Sequence, residues 1–343
     1  MVISISWKLW KEALGGNRDV SVIIRQILNC VEIGKHDLIF EKGTEIQEII
    51  SSQEFVSFSE ILKAYAKKGF YQEQQDIVIR VTINNEIQGH FQGDSKYFDG
   101  KLMVQKGHKV EYRYIDISAV NSYLIQPLYI VVENKESDGY FVGKMYNHLT
   151  GEVLCTETKV KFEHGGGDTI STIVDSFSLP TRLICLIDSD KKYPNQDLSL
   201  NPKIPSLSAI CERKYFDMFV LNKREIENYL PDDSIKKWLE KQKRKSELDH
   251  YFFNLNSLQK SYFDMKKGIK VKDFKEREVQ DLFHELFISK DYLDHKHSDN
   301  KTLIDGFGRD VWKALEEVSA GVDEFSDSYN ELKQLVGLIE TNM

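Results

Sequence analysis

Four short, nearly continuous apolar runs constrain the fold of this 343-residue chain more than any other feature. They are Leu128-Tyr-Ile-Val-Val132, Lys159-Val-Lys-Phe-Glu163, Arg182-Leu-Ile-Cys-Leu-Ile187 and Tyr215-Phe-Asp-Met-Phe-Val-Leu221. Helical spacing follows the first two runs, at 137–149 before Gly151 and near 169–177, and a Pro-rich loop precedes the fourth. Strands covered on both faces are apolar throughout, and strands that alternate with helices form parallel sheets. The sequence therefore predicts a β-α-β-α-β-loop-β unit around a parallel sheet.

The six prolines divide the chain into three regions. All of them lie between positions 127 and 231, and the stretches on either side contain none. We therefore predict an N-terminal region (1–126), a central α/β core (127–232) and a C-terminal region (233–343). Regions of this size agree with the usual domain length of about 100 to 200 residues.

Hydrophobic periodicity gives the two flanking regions different characters. In the first region apolar residues recur at three and four over 7–31 and 57–68, then alternate at period two over 76–91 and 102–114. These patterns predict helices followed by a small antiparallel β-meander, and hence an α+β region. In the third region helical spacing alone recurs, which predicts an α-helical region. Its helices are expected over 236–247, 271–286 and 310–318.

Composition and charge restrict the class of protein. The hydrophobic fraction of 41% and the charged fraction of 29% are typical of soluble globular chains. A net charge of −8 argues against a protein that coats nucleic acid non-specifically, although it does not exclude an enzyme that acts on nucleic acid. No apolar run approaches the roughly 18 residues of a membrane span, and the N-terminus lacks the pattern of a signal peptide. We expect a cytoplasmic protein without membrane contact.

Acidic side chains follow the apolar runs, where an open parallel sheet binds its ligands. Asp188 and Asp190 come after the third run, and continued extended geometry would place both carboxylates on one side, about 7 Å apart. Such a pair suits one or two magnesium ions, which prefer oxygen ligands. The other candidates are Glu133 after the first run, Glu163 and Asp168 after the second, and Glu225 and Glu227 after the fourth.

Glycines and lysines beside these acids are candidates for contact with phosphate. Gly165, Gly166 and Gly167 follow the second run, where backbone without side chains could approach a phosphate or a neighbouring strand closely. A flexible turn is the alternative interpretation of the glycines, and solvated surface residues are the alternative for the lysines. The lysines nearest the acids in sequence are Lys191, Lys192 and Lys223.

The ordered set of motifs resembles the TOPRIM domain, the catalytic fold of topoisomerases, bacterial primases and OLD (overcoming lysogenization defect) nucleases. Such domains carry a Glu after the first strand, which matches Glu133, and an Asp-x-Asp after the third, which matches Asp188-Ser-Asp190. The resemblance is closest to OLD-type members and covers residues 128–232. Their further motifs match Asp138, five residues after the Glu, the glycine turn 165–167, and Glu227-Asn-Tyr-Leu230.

The resemblance implies a Rossmann-like TOPRIM core and a metal-dependent endonuclease that hydrolyses phosphodiester bonds of DNA or RNA, including tRNA. It implies Mg²⁺ or Mn²⁺ as the cofactor, with two ions at the site. Glu133 acts as metal ligand or general base, and Asp188 and Asp190 are the principal ligands. Because the strand register is uncertain by a residue or two, Glu225 can replace Glu227. The full set of candidate metal ligands is Glu133, Asp138, Asp188, Asp190, Glu225 and Glu227.

The chain departs from the family pattern in two places. Asn134 stands where the family has a glycine after the Glu, so we expect Asn134 to make the tight turn. In addition, OLD proteins carry an ATPase on the same chain, whereas no G-x-x-x-x-G-K-[ST] motif occurs here. The chain therefore resembles stand-alone TOPRIM effectors of bacterial anti-phage systems such as PARIS. This implies a toxin-like effector controlled by a separately encoded ABC-type ATPase, and the apolar helices of both flanks could form a homodimer.

Two other classes of function remain open from the sequence. The first is a non-catalytic binding or regulatory subunit of a defence complex, whose acidic cluster positions a partner. The second is a nucleotide-sugar transferase that uses Asp188-x-Asp190 to bind a metal. Metal-dependent cleavage of nucleic acid separates the nuclease from both.

Overall fold

The structure is a computed structural model of the chain. It describes residues 1–41, 44–68, 77–83, 86–87, 95–98, 101–107, 110–154, 158–247, 250–284, 300–318 and 328–343. Within these ranges the strands form a six-stranded, a four-stranded and a two-stranded sheet. The predicted mixed α/β class with a parallel sheet is therefore confirmed.

The first sheet is built from the N-terminal region. Its strands are β1 (Val2–Ile5), β2 (Asp37–Ile39), β3 (Ile77–Thr82), β4 (Lys96–Phe98), β5 (Leu102–Lys106) and β6 (Glu111–Asp116). They are ordered β2-β1-β3-β6-β5-β4, and the first four run parallel. The predicted run 102–114 is divided into β5 and β6, which pair antiparallel, and the antiparallel meander is wrong for β3, which pairs parallel with β1 and β6. Period-two alternation marks the faces of a strand but not the direction of its neighbours.

The N-terminal region is helical over both segments for which the periodicity predicts helices, 7–31 and 57–68. The structure gives α1 (Trp7–Leu14), α2 (Arg18–Glu32), α3 (Ile46–Ser51) and α4 (Ser59–Lys68), with a 3-10 helix at Gln53–Phe58. The predicted segment 7–31 is divided because Gly16 has φ +92° and the Asn17 side chain accepts a hydrogen bond from the Val20 N–H at 3.4 Å. Asn17 thus begins a new helix. Residues 88–91 of the predicted meander lie outside the described residues.

The second sheet carries the four apolar runs. Its strands are β7 (Leu128–Val132), β8 (Val160–His164), β9 (Leu183–Ile187) and β10 (Asp217–Val220). All four are parallel, in the order β10-β9-β7-β8, so the first and third strands of the unit are neighbours. Between them lie α5 (Ser137–Thr150) and α6 (Ile170–Ser176), and Gly151, with φ +74°, ends α5 as predicted.

A third helix replaces the loop expected between β9 and β10. Helix α7 spans Lys203–Lys214, although Pro202 and Pro205 favour a loop. Pro202 is the N-cap residue and Pro205 lies in the first turn, where backbone N–H groups have no intrahelical acceptor. Proline is therefore compatible with this helix, and the four-stranded sheet is covered by helices on both faces.

The C-terminal region is largely helical. Its elements are α8 (Asp232–Lys241), α9 (Ser257–Tyr262), α10 (Arg277–Phe283), α11 (Tyr329–Asn342), 3-10 helices at Lys245–Glu247, Tyr251–Asn254, Asp273–Lys275 and Arg309–Glu317, and strands β11 (Ile269–Lys270) and β12 (Thr302–Ile304). A 3-10 helix at Ile226–Tyr229 links β10 to this region. The antiparallel pair of β11 and β12 was not predicted, because a two-residue strand leaves no periodicity. The helix expected from 271 begins at Arg277, after a 3-10 turn.

The three larger hydrophobic cores of the described residues organise these elements. One core joins the N-terminal sheet to its helices, and a second fills the face of the second sheet that packs on α6 and α7. The third lies on the opposite face, where β7–β9 and α5 pack against the C-terminal region. The C-terminal region is thereby fixed beside the carboxyl ends of β7 and β9. Among the described helices, none has both the length and the apolar character that crossing a bilayer requires.

Candidate active site at the carboxyl end of the second sheet

A cleft of about 710 Å³ opens at the carboxyl ends of β7 and β9. Acidic side chains from the α/β unit line it together with basic side chains from the C-terminal region. Its lining residues are Glu133, Asn134, Ser137, Asp138, Gly167, Asp188, Glu227, Lys266, Lys267, Lys270, Gly308, Arg309 and Trp312. Four of the six acids selected from the sequence therefore share one cleft.

Glu133 and Asp138 lie at the junction of β7 and α5. The Lys203 ammonium lies 2.9 Å from Glu133 Oε2, whereas the buried Oε1 accepts no hydrogen bond within the described residues. Asp138 accepts hydrogen bonds from the Asn134 N–H at 2.8 Å and from Ser137 Oγ at 2.6 Å. Asn134 is not among the residues with positive φ, so the tight turn expected at this position does not use a left-handed Asn134. Asn134 instead accepts hydrogen bonds at the start of α5, from the Glu136 N–H on its side chain and from the Asp138 N–H on its carbonyl.

Asp188 follows β9, and its side chain contacts the segment after β10. Its Oδ1 accepts a hydrogen bond from the Ile226 N–H at 3.1 Å. Asp190 does not continue the extended geometry expected for the Asp-x-Asp motif, since its φ is +54° and its N–H donates to the Arg224 carbonyl at 2.9 Å. The Asp190 side chain is exposed, and its Oδ2 lies 3.7 Å from the Lys203 ammonium. Lys203 therefore connects Asp190 with Glu133.

Glu225 and Glu227 occupy different environments, which bears on the alternative left open by the sequence. Glu225 Oε1 accepts a hydrogen bond from the Met265 N–H at 2.7 Å, so this side chain anchors the C-terminal region. The Glu227 side chain is fully buried, lines the cleft and lies 2.9 Å from the Lys266 ammonium, while its Oε1 accepts no hydrogen bond within the described residues. Of the two, Glu227 is placed as a cleft residue.

Burial and mutual repulsion raise the pKa values of the clustered carboxylates. Burial, and then the charges of Asp138, Glu227 and Glu133, raise the pKa of Asp188 well above its usual value. Burial and the neighbouring Glu225 raise the pKa of Glu227 to about 7, although Lys266 acts in the opposite direction. Charges of one sign in a poorly solvated site disfavour the ionised form. A cation in the cleft would relieve this repulsion.

The pKa values of Glu133 and Asp138 are raised as well. Burial raises the pKa of Glu133 despite the contact with Lys203, and it raises the pKa of Asp138 despite its two hydrogen bonds. Burial acts to lower the pKa of Lys266, but Glu227, Glu225 and Asp188 together hold it above its usual value. In the described part of the chain, no three Asp, Glu, His or Cys side chains are grouped closely enough to hold a metal as they stand. Lys203 and Lys266 supply the positive charges that pair with Glu133 and Glu227.

The glycine turn 165–167 after β8 allows both close packing and a left-handed backbone. A Cβ on Gly165 would lie 2.6 Å from the Ile170 side chain and 2.9 Å from the Val132 carbonyl, so only glycine fits between β7 and α6. Gly166 and Gly167 have φ of +69° and +61°. Gly167 alone of the three lines the cleft.

The three lysines proposed from the sequence as phosphate contacts lie elsewhere. Lys192 forms ion pairs with Glu276 and, at 3.6 Å, with Asp273. Lys223 donates to the Asn228 carbonyl at 3.1 Å and lies over the Tyr229 ring. Neither of these residues nor Lys191 lines the cleft.

Sequence reasoning missed the basic wall of the cleft. Lys203 reaches Glu133 from the first turn of α7, and the C-terminal region adds basic and aromatic side chains. A run of three lysines around Gly268 was the available signal, but lysines are common on surfaces and their distance from Glu133 along the chain conceals the contact. The missed residues are Lys203, Lys266, Lys267, Lys270, Arg309 and Trp312.

Comparisons of the chain with protein-family models, with curated proteins and with solved structures gave no match.

Proposed function

We propose that the chain is a divalent-cation-dependent endonuclease of the TOPRIM type. The observation that carries the proposal is the cleft in which Glu133, Asp138, Asp188 and Glu227 converge opposite lysine and arginine side chains. Glu133 and Asp188 follow neighbouring parallel strands, as the TOPRIM pattern requires. Carboxylates suit a hard cation, and basic side chains suit the phosphates of a substrate.

The donor set of the cleft suits a divalent cation, although the carboxylates must move closer together to hold one. Glu133 Oε1 and Glu227 Oε1 are buried oxygens without a hydrogen-bond donor within the described residues, and four mutually repelling acids disfavour full ionisation without a counter-charge. Glu133, Asp138, Asp188 and Glu227 would hold the ion, whereas Asp190 lies 3.7 Å from the Lys203 ammonium and does not line the cleft. When bound, Mg²⁺ or Mn²⁺ supplies charge neutralisation at the phosphoryl oxygens and an activated water. Two ions are implied by the TOPRIM resemblance.

Each side chain of the cleft has a distinct task in this proposal. Glu133 has a raised pKa and a free oxygen, so it can accept a proton from the attacking water. Lys203 keeps Glu133 oriented toward the cleft and partly offsets its tendency to protonate. Lys266 fixes Glu227 and, as a residue of the cleft lining, can offset the negative charge of a phosphoryl group. Burial of the acids strengthens all of these interactions.

The biological setting is proposed from the resemblance alone. It comprises action on DNA or RNA, including tRNA, in bacterial anti-phage defence, location in the cytoplasm, and restraint by a separate ABC-type ATPase or by self-assembly. An unrestrained nuclease would damage its own cell, so a partner that holds it inactive is part of the proposal.

Cleavage of nucleic acid by the purified chain tests the activity. A mixture of DNA and total RNA is incubated with wild type or Glu133→Gln, in Mg²⁺, Mn²⁺ or EDTA, alone and with any ATPase encoded beside it. We expect cleavage by wild type that requires the metal and is lost in the variant. Absence of cleavage in every condition, combined with a variant that retains the cellular effect of the protein, would favour the binding-subunit function instead.

A further inference from the structure

The cleft is divided by charge into two walls of different origin. The acids come from the α/β unit, at the ends of β7 and β9 and beside β10. The bases that line it are Lys266, Lys267, Lys270 and Arg309, and all of them come from the C-terminal region. In a chain with a net charge of −8, this concentration of positive charge facing an acidic site calls for an explanation.

Three of these bases are available for a ligand. Lys267 and Arg309 are exposed and Lys270 is half-buried, and none of the three side chains has an acidic partner in the ranges that the structure describes. Lys192 and Lys203 differ, because both are held in ion pairs. The unpaired charges are therefore free to meet phosphates.

The turn that presents the lysines is firmly held. Gly268 has φ +74°, and a Cβ there would lie 1.8 Å from the Ile304 carbonyl oxygen, so the turn is pressed against the backbone before Gly306. Asp264 Oδ1 accepts a hydrogen bond from the Lys267 N–H at 2.7 Å. With the Glu225 bond to the Met265 N–H, these contacts make the turn a pre-organised part of the cleft.

The basic wall continues beyond the cleft. A second cavity of about 360 Å³ adjoins it and shares Lys267 and Lys270. This cavity adds Lys192, Arg224 and Lys272 to its lining, together with Asp264, which pairs with Arg224, and Asp273 and Glu276, which pair with Lys192. Lys267, Lys270 and Lys272 therefore extend positive charge beyond the cleft, which suits a ligand with successive phosphates better than a single nucleotide.

An aromatic side chain completes the cleft. Trp312 is half-buried, lines the cleft and meets Tyr140 edge-on with ring centroids 6.1 Å apart. Indole rings beside basic grooves stack on nucleic-acid bases, and this requires a base that is not already stacked in a duplex.

We infer that the C-terminal wall binds a single-stranded stretch of nucleic acid, with Lys267, Lys270 and Arg309 on its phosphates and Trp312 stacked on an unpaired base. This inference rests on the proposed nuclease function, for which it names the substrate class. Trp312 and the three cations are substrate-positioning residues.

Binding measured without cleavage tests the inference. Fluorescence anisotropy follows labelled single-stranded RNA, single-stranded DNA and blunt duplexes on protein carrying Asp188→Asn, in EDTA, so that cleavage is suppressed. Lys267→Ala with Lys270→Ala is expected to weaken binding of the single strands at least about tenfold, and to reduce the slope of log affinity against log salt by about 1.4. The charge-matched control, Lys8→Ala with Lys11→Ala, keeps the parent affinity and slope.

The aromatic contact is tested in the same assay. Trp312→Leu is expected to weaken binding of the single strands about tenfold and to leave duplex binding unchanged, while Trp312→Phe retains most of the affinity. Unchanged thermal melting checks that each variant is folded. Equal losses on single strands and duplex, or equal losses in the two lysine pairs, would overturn the inference. Wild type that cleaves nothing while the binding pattern holds would remove the proposed activity but not the nucleic-acid wall.

Discussion

Two of the described sheets contain neighbouring parallel strands, the N-terminal one in part and the second one throughout, and each has a cleft at the carboxyl ends of those strands. The two clefts differ in chemistry rather than size. The cleft of the N-terminal sheet measures about 660 Å³ and that of the second sheet about 710 Å³. The first is lined by Ser6, Trp7, Lys8, Lys11, Glu41, Arg80, Thr82, Glu86 and Tyr114. Similar topology thus provides two edges at which a ligand could bind.

The acids of the first cleft are matched by partners. Glu41 accepts a hydrogen bond from Ser4 Oγ at 3.2 Å and lies 3.5 Å from Arg80, and Glu86 accepts one from Thr82. In the second cleft four acids gather at one place, and burial with mutual repulsion raises the pKa of Asp188. Matched charges stabilise a fold, whereas crowded like charges that are retained in a cleft indicate a function. The side chains, and not the sheet, distinguish the two edges.

The largest difference between the clefts is expected in catalysis. Asp188→Asn keeps the shape of the side chain but removes a carboxylate, and it should lower the cleavage rate by about 10³-fold, since a bound metal contributes several kcal/mol to the transition state. The matched change in the first cleft, Glu41→Gln, should leave the rate within about twofold. Initial rates on the substrate found for wild type provide the measurement. Comparable losses of cleavage rate in both variants would show that catalysis does not distinguish the two clefts.

The turn that covers the second cleft should be intolerant of a side chain. Gly268→Ala places a Cβ 1.8 Å from the Ile304 carbonyl oxygen in a left-handed backbone, so the free energy of unfolding should fall by about 3 kcal/mol or more. Gly143→Ala on α5 is the control, because nothing lies within 4 Å of its added Cβ and alanine favours the helix by up to about 1 kcal/mol. Urea unfolding measures both, and equal stability of the two variants would show that the turn is not clamped.

Stability in EDTA should depend on pH through the second cleft. Because the pKa of Glu227 is raised from 4.5 to about 7, the folded state retains a proton that the unfolded state releases. Its contribution is therefore fully present below about pH 4.5 and is lost as pH rises to about 7, by up to about 3 kcal/mol. Glu227→Gln should flatten this decline, and Glu41→Gln should keep it. Urea midpoints between pH 5 and pH 8 test the slopes, which would coincide if Glu227 were ionised throughout.

The smallest effect is expected from the lysine that orients Glu133. Lys203 lies 2.9 Å from Glu133 and lowers its otherwise raised pKa. Lys203→Met should reduce cleavage at pH 7 about tenfold, because more of Glu133 is protonated without the ammonium, with partial recovery at higher pH as Glu133 ionises. Lys63→Met, which breaks the exposed pair with Glu60 near the first sheet, should have no effect. A loss that is equal at every pH would assign Lys203 a different role.

The second sheet could be predicted from the sequence because its signal is local. Strands β7 to β10 begin and end within two residues of the apolar runs, since residues buried on both faces are apolar throughout. The short strands β1 and β11 gave no such signal, and their pairing depends on residues far along the chain. Helix α7 was missed because prolines in a first turn resemble loop prolines.

The acidic half of the cleft was predictable and the basic half was not. Glu133, Asp138 and Asp188 directly follow strands or begin a helix, so topology alone brings them together. Lys266 reaches the cleft from a turn that is positioned by tertiary packing, and the conformation of Asp190 depends on the Arg224 carbonyl. Such contacts between distant segments leave no periodic trace.

Direct titration of the EDTA-treated protein with Mn²⁺ tests the central claim, that the carboxylates of the second cleft form a divalent-cation site. Isothermal calorimetry on wild type, Asp188→Asn and Glu41→Gln compares the two clefts in one experiment. We predict saturable binding by wild type and Glu41→Gln with the same affinity, and binding at least about tenfold weaker in Asp188→Asn, since one lost ligand costs more than about 1.4 kcal/mol. No binding by wild type, or the same binding by all three proteins, would contradict the claim.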